Sequence, residues 1–582
     1  MTNDELKQAA EAYLSKEEHP VFRQEVETLL RAANWGELNE RFYTTLSFGT
    51  GGLRGTIGGG TNRMNPFMVR SATQGLADYV NATVTSGASA VIAHDSRNYS
   101  DLFALEAALV FAANGIKAYL FKELRPTPVL SFAVRRLGAT TGIVVTASHN
   151  PPEYNGYKVY WSDGAQVVPP HDLGIIARVR SVQGQSRTMT KEQALARGLL
   201  VEIDEEIDGP YCEMVKAQSL RPQLFPSQGP RVKVVYTPLH GTGVTVLPRI
   251  MKDLGINLSL VATQAVPDGN FPTVSSPNPE EHSAMELAIR QATAERADLL
   301  LGTDPDADRI GIGVPWKGEW VLLNGNQLGA LLTDYVFSSL KELGRLPAKP
   351  VFINTIVTTE LHCLIARHYG AQVFRVLTGF KYIGEKIRQF EEGTEGLQYV
   401  IGGEESYGFL FGDSVRDKDA VSTVAITIEM ALWHLSQGRS VMEALNALYE
   451  KYGYFQEILI SKTFKGQAGL ETMKTFMANL RTSPPQKVGT LSLVKLLDYQ
   501  KGTTRGPDGS VHKDIDLPSS DVVQFVLDDG STVTVRPSGT EPKIKFYASC
   551  RAAGGLPLEA AKVEVSAKIQ GIKVALDGMI PS

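Results

Sequence analysis

Residues 88–121 read ASAVIAHDSRNYSDLFALEAALVFAANGIKAYLF. An apolar, β-branched run comes first, then a polar turn, then an amphipathic stretch of helical length. Asn114-Gly115 closes that stretch, where glycine can take the left-handed cap, and a second apolar strand follows. The same order returns in RVKVVYTPLHGTGVTVLPRIMKDLGINLSLV from Arg231 and in AKPVFINTIVTTELHCLIARHYGAQVFRV from Ala348. Leu254-Gly255 and Tyr369-Gly370 are the matching helix ends. Strand–helix–strand units repeated at this distance point to three similar α/β domains with mixed, mostly parallel sheets. Short solenoid repeats are excluded by the spacing.

Outward from these repeats the pattern changes. Residues 1–45 are helical, with Thr2 and Glu5 placed for a capping box and a second amphipathic stretch over Pro20 to Ala33. At the other end, Asp528-Asp529-Gly530 separates two short strands, Lys543 to Ser549 forms another, and Glu559 to Leu576 is a closing helix. That is an α+β domain. Expected linkers lie at Asp208-Gly209-Pro210, Lys317-Gly318 and Tyr452-Gly453-Tyr454, and residues 502–520 read as a polar loop. The expected division is 1–45, 46–208, 209–320, 321–453 and 454–582.

Composition narrows the function. The 582 residues carry a net charge of −5, with 43% hydrophobic and 21% charged residues. That balance argues for packed cores and against a nucleic-acid or anionic-membrane partner. Cys212, Cys363 and Cys550 are far apart and form no pair motif. The first residues lack a signal-peptide pattern, and Val421 to Leu435 reads as a buried helix rather than a span. A cytoplasmic protein is expected.

Four segments carry chemistry. TASHNP places Ser148 just past a buried strand, where open α/β sheets bind ligands. It does not fit the hydrolase elbow, and Lys158 follows nearby. GTDPDADR places Asp304, Asp306 and Asp308 at alternate positions; if the segment is extended they converge, and only a cation relieves their repulsion. Hard oxygens suit Mg²⁺. An EF-hand is excluded, because Arg309 stands at its glycine position and Pro315 at its bidentate glutamate. GGEESYGF offers carboxylates and a hydroxyl to sugar hydroxyls, with Arg416, Lys418 and Asp419 just beyond. RPSGTEP, followed by Lys543 and Lys545, makes an anion cradle suited to phosphate. A nucleophile, a cation site, a hydroxyl reader and a phosphate cradle together serve phosphoryl transfer on a phosphorylated sugar. A metal-dependent phosphatase would use the same serine and metal; two phosphate sites favour a mutase.

In order and spacing these four motifs resemble the signatures of the α-D-phosphohexomutases, and residues 48–55, FGTGGLRG, resemble that family's N-terminal arginine loop. The resemblance covers residues 45–582. It implies three α/β domains and a C-terminal α+β domain around a central cleft. It implies a phosphorylated Ser148 and one Mg²⁺ held by that serine with Asp304, Asp306 and Asp308. Arg54, His149, Lys158 and Arg309 would surround the phosphoserine, with Lys158 and Lys418 in proton transfer. Thr378, Gly379, Glu404 and Ser406 would meet the sugar, and Arg536, Ser538, Gly539, Thr540 and Lys545 the other phosphate. The implied reaction interconverts glucose 1-phosphate and glucose 6-phosphate through glucose 1,6-bisphosphate, by a monomer or homodimer. Gly408 stands where mannose-directed relatives have histidine. With LTGFKY at residues 377–382 this looks closer to the phosphoglucomutase-2 and phosphopentomutase branch, so a pentose phosphate is the alternative and mannose the weaker one.

Overall fold

A computed structural model describes residues 1–49, 51–182, 184–464, 466–537 and 543–580, and no side chains at 466–468 and 470. It divides into two compact units, residues 1–325 with 380–437, and residues 326–379 with 438–582.

The first unit holds two sheets built from the repeats. In the first, Ser89–His94 lies parallel to both Lys117–Phe121 and Thr141–Val145, and Leu200–Ile203 adds a further parallel strand. Tyr154–Trp161 and Gly52–Thr56 extend the other side antiparallel. The crossover helix Ser100–Ala113 is apolar nearly all round, because sheet and neighbouring helices cover it. Phe103, Phe111, Ile92 and Tyr157 lie in the core that results. The second sheet repeats the scheme: Lys233–Thr237 is parallel to Asn257–Leu260 and to Leu299–Thr303, and Ile310–Trp316 and Glu319–Leu323 continue it antiparallel.

The N-terminal residues form three helices, Asn3–Leu14, Pro20–Arg31 and Trp35–Phe42, the first closed by the expected Thr2–Glu5 capping box. They share a small core of Leu6, Tyr13, Val26, Leu38 and Phe42. Buried Glu17 accepts the Phe67 amide at 3.0 Å and so ties them to the first sheet's helices.

In the second unit, Pro350–Thr355 and Gln372–Val376 pair in parallel across the helix Glu360–His368, which is the third repeat. The C-terminal sheet is antiparallel and runs Phe455–Thr463, Lys543–Arg551, Thr532–Pro537, Val523–Leu527, Leu491–Asp498. The helix Leu558–Met579 packs on it around Val565, Ile569 and Phe546. Gly530, at φ 83°, closes the expected hairpin.

Three expectations are corrected. Asp208-Gly209-Pro210 lies inside the helix Glu205–Ala217, because Ile207, Tyr211 and Val215 recur at helical spacing and are buried there. Lys317-Gly318 is the two-residue turn of a hairpin; both residues have positive φ, as the twist of such a turn requires. Residues 502–520 are not wholly loop, since Thr503–Arg505 and Val511–His512 pair as short strands.

Candidate active site

Ser148 follows Thr141–Val145 and is itself in the left-handed region, φ 53°, a conformation that costs a non-glycine residue about 1–2 kcal/mol. Its amide donates to Thr146 Oγ1 at 2.8 Å. Its hydroxyl donates to Asp304 Oδ2 at 2.7 Å and lies 3.3 Å from His149 Nδ1. The serine of one sheet therefore meets the first aspartate of the other.

The three aspartates converge, but not by strand alternation. Residues 304–309 form a tight turn between Leu299–Thr303 and Ile310–Trp316, with Ala307 left-handed at φ 49°. Asp304 Oδ1 accepts the amides of Asp308 and Arg309 at 3.1 and 3.0 Å, which closes the turn. All three carboxylates are buried, and one oxygen from each lies within 4.8 Å of the others. The Oδ1 atoms of Asp306 and Asp308 are buried with no hydrogen-bond partner. A turn of hard, anionic oxygens with two unsatisfied acceptors fits a divalent cation such as Mg²⁺.

Cations crowd the turn. Lys158 Nζ is 2.7 Å from Asp306 Oδ2 and 3.2 Å from Asp308 Oδ2, and Lys418 Nζ is 3.2 Å from Asp308 Oδ2. Burial alone would depress both ammonium groups; the facing carboxylates outweigh it and hold both above the usual lysine range. Burial pushes Asp304 well up, and Asp306 and Asp308 add to this. Burial would raise Asp308 too, but Lys418, Lys158 and Arg309 win and hold it down. His149 is held well below its ordinary value by burial, then by the charges of Arg309 and Arg54.

The hydroxyl-reading segment is a hairpin, Gln398–Glu404 against Gly408–Phe411, with Tyr407 at φ 64° in its turn. The Tyr407 carbonyl accepts the Ile310 amide at 3.1 Å, and Arg309 Nη1 donates to the Ser406 carbonyl at 3.1 Å. The loop is thereby anchored to the aspartate turn. Arg309 also pairs with Glu280 at 2.8 Å. Glu404 is buried and near enough to raise Arg309 and Lys418 electrostatically.

Of the expected site residues, the first unit thus gathers Ser148, His149, Lys158, Asp304, Asp306, Asp308, Arg309, Glu404, Ser406 and Lys418. Arg54 is exposed on the strand Gly52–Thr56, opposite Gly156, and close enough to act on His149. Thr378 and Gly379 belong to the second unit; Phe380, next in the chain, belongs to the first, where its ring lies 5.4 Å from Lys418 Nζ. Arg536 and Lys545 are also in the second unit, register partners on neighbouring strands. Ser538, Gly539, Thr540 and Thr50 lie outside the described residues.

Several residues close to the site were not singled out from sequence. Thr127, first residue of the helix Thr127–Leu137, donates from its amide to the Asp306 carbonyl and from Oγ1 to Asp306 Oδ2, both at 2.9 Å. Thr242 holds the Pro305 carbonyl through its amide and hydroxyl, each at 2.8 Å. Asp417 receives Tyr160 and Gln166 at 2.7 Å and lies 3.2 Å from Lys418 Nζ. The usable signal was position: the polar turns RPTP and PLHGTG follow apolar strands, as TASHNP does.

Comparison with known proteins matches four consecutive family models. They are described as phosphoglucomutase/phosphomannomutase alpha/beta/alpha domains I, II and III, over residues 45–185, 209–316 and 324–452, and the C-terminal domain over 479–554. A phosphoglucomutase of Staphylococcus aureus (strain MRSA252) is 37% identical over 88% of this chain and 91% of its own. One from Staphylococcus epidermidis is 38% identical over 88% and 92%. Among solved structures, the open form of Paramecium pp63/parafusin, a phosphoglucomutase, superposes with a TM-score of 0.68 at 18% identity, covering 92% of this chain and 95% of its own. A phosphoglucomutase/phosphomannomutase family protein of Burkholderia thailandensis gives 0.65 at 19% identity over 93% and 98%. At such identity the structures speak for the fold alone.

Proposed function

Because the chain belongs to the phosphoglucomutase/phosphomannomutase family of intramolecular phosphotransferases, we propose that it interconverts glucose 1-phosphate and glucose 6-phosphate through phosphorylated Ser148. The observation that carries this reading is the 2.7 Å approach of Ser148 Oγ to an aspartate of a buried, under-satisfied carboxylate turn.

The phosphoryl group on Ser148 Oγ is attacked by the free hydroxyl oxygen of a bound glucose monophosphate. The new P–O bond forms on the sugar, the bond to Oγ breaks, and glucose 1,6-bisphosphate results. The bisphosphate turns end for end and returns its other phosphoryl group to Ser148, leaving the isomeric monophosphate. The proton of the attacking hydroxyl ends on the departing Ser148 Oγ; Lys158 and Lys418, the two ammonium groups that flank the turn, would relay it, one protonating Oγ and being reprotonated by the hydroxyl. Asp304, Asp306 and Asp308 would hold one Mg²⁺, which when bound supplies charge neutralisation at the transferring phosphoryl group. Arg309, between Glu280 and the Ser406 carbonyl, adds fixed positive charge there. Glu404 and Ser406, with Thr378 and Gly379, would bind the sugar; Arg536, Ser538, Gly539, Thr540 and Lys545 would hold the phosphate not in transfer.

Glucose is favoured over mannose by the relatives' names and by Gly408. A Cβ there would lie 2.1 Å from Lys418 Cδ, so a histidine side chain has no room while Lys418 keeps its place. No helix among the described residues is long and apolar enough to cross a membrane. A cytoplasmic location and a monomeric or homodimeric state complete the proposed reading. The test compares turnover of glucose 1-phosphate, ribose 1-phosphate and mannose 1-phosphate with Mg²⁺ and a trace of matching bisphosphate. Glucose 1-phosphate should give the highest kcat/KM; a higher value for ribose 1-phosphate would transfer the assignment to pentose phosphates.

A further inference from the structure

One arginine grips the serine loop through its main chain. Arg97 ends the HDSR turn after the strand Ser89–His94, and its side chain is fully buried. Nη2 donates to the carbonyls of Ser148 and Asn150, and Nη1 to those of Pro151 and Tyr154 at 2.9 and 3.0 Å. Four carbonyls of residues 148–154 thus converge on a single cation. Nε faces Asp95 Oδ2 at 3.3 Å, and Asp95 Oδ1 accepts the Arg97 amide at 2.9 Å and the Ser100 hydroxyl at 2.8 Å. The Phe271 ring, from the second sheet's loops, lies 5.0 Å from the guanidinium carbon.

Burying a guanidinium costs several kcal/mol unless its donors are used. Here the loop carbonyls take the Nη donors, while Nε, without a hydrogen-bond partner, faces the Asp95 carboxylate as an ion pair. The loop they hold contains the strained residue. Thr146 pins the amide of Ser148 and Arg97 pins its carbonyl, so the peptide groups on both sides of the left-handed residue are fixed. That fixed backbone sets Oγ against Asp304.

We infer that Arg97 is a positioning residue for phosphoryl transfer, holding Ser148 in its strained conformation without touching the reacting atoms. The inference rests on the reading of Ser148 as phosphoryl carrier. Lysine cannot replace it: three donors on one point cannot span four carbonyls and a carboxylate.

The test uses the full-length enzyme with Mg²⁺. Arg97→Lys, Asp95→Asn and Ser148→Ala are compared with wild type for kcat and KM on glucose 1-phosphate, for the rate of Ser148 phosphorylation by glucose 1,6-bisphosphate, and for melting temperature. A nucleophile displaced by about 1 Å loses on the order of 100-fold in rate. Arg97→Lys should therefore lose about that much kcat and loading rate at temperatures where it is folded, with KM within about threefold. Asp95→Asn, which removes only the counter-charge, should move both rates in the same direction by less. The inference is overturned if the variants melt lower but keep kcat and loading rate per folded molecule within about threefold of wild type, or if they lose affinity alone. If Arg97→Lys does not fold, Asp95→Asn decides by the same criteria. Turnover by Ser148→Ala would refute the phosphoserine reading itself; an inactive Ser148→Ala beside a fully active Arg97→Lys would refute the Arg97 inference only.

Discussion

Gly408 and the stem of Lys418 occupy adjoining space so closely that a Cβ on the glycine would lie 2.1 Å from Lys418 Cδ and 2.7 Å from its Cγ. The absent side chain is what lets the Lys418 ammonium reach Asp308 and Asp417. Gly408→Ala should displace Lys418. Overpacking of this kind costs about 1–3 kcal/mol, and kcat should fall with it. Calorimetry and steady-state kinetics on the variant check both; unchanged melting and unchanged kcat would show that the lysine stem yields freely.

Mg²⁺ should raise the melting temperature of the first unit, because a ligand that binds only the folded aspartate turn stabilises it by mass action, by about 2.7 kcal/mol at a hundredfold excess over Kd. Asp306→Asn should abolish most of that shift. Without metal the variant should not gain stability, since Asp306 already pairs with Lys158 and Thr127. Melts in Mg²⁺ and in chelator separate the two effects, and a full Mg²⁺ shift in Asp306→Asn would remove the cation from this turn.

Glu457 tests the second unit's electrostatics. Burial pushes its carboxyl up to about 7, against partial relief from Thr359, Ser549 and Asn326. A carboxyl with a raised folded value binds more protons folded than unfolded, so wild-type stability falls as pH rises from about 4.5 to 7. Glu457→Gln should match wild type near pH 4 and exceed it by about 3 kcal/mol at pH 8. Calorimetry at both pH values reads this, and a difference independent of pH would contradict it.

Arg536→Ala should weaken sugar monophosphate binding by about 10- to 150-fold, the worth of a charge-assisted contact of roughly 1.5–3 kcal/mol. Phosphorylation of Ser148 by acetyl phosphate, which has no second phosphate to hold, should be nearly unaffected. The opposite pattern would place Arg536 at the transfer step.

The repeats, and the segments TASHNP, GTDPDADR and GGEESYGF that the fold brings together, were legible because each depends on local pattern: apolar runs, glycine caps and charged turns at strand ends. The aspartates were found for the wrong geometric reason. Alternation suggested an extended segment, whereas the left-handed Ala307 folds the residues into a turn, and nothing in residue type marks that alanine. Gly209-Pro210 and Lys317-Gly318 read as breaks because glycine and proline punctuate chains on average; here burial of Tyr211 and hairpin twist decide. Arg97, Thr127 and Thr242 escaped notice because they act on partners distant in sequence, Arg97 on the serine loop and the two threonines on the aspartate turn.

We propose Ser148 as the carrier of the phosphoryl group in transit. The most direct test is intact and peptide mass analysis after incubation with glucose 1,6-bisphosphate, followed by a chase with glucose 6-phosphate. One phosphoryl group should be added, located on Ser148, removed by the chase and never gained by Ser148→Ala. A protein that turns over glucose 1-phosphate with no phosphoryl group on Ser148, or with one that the chase leaves in place, would contradict the proposal.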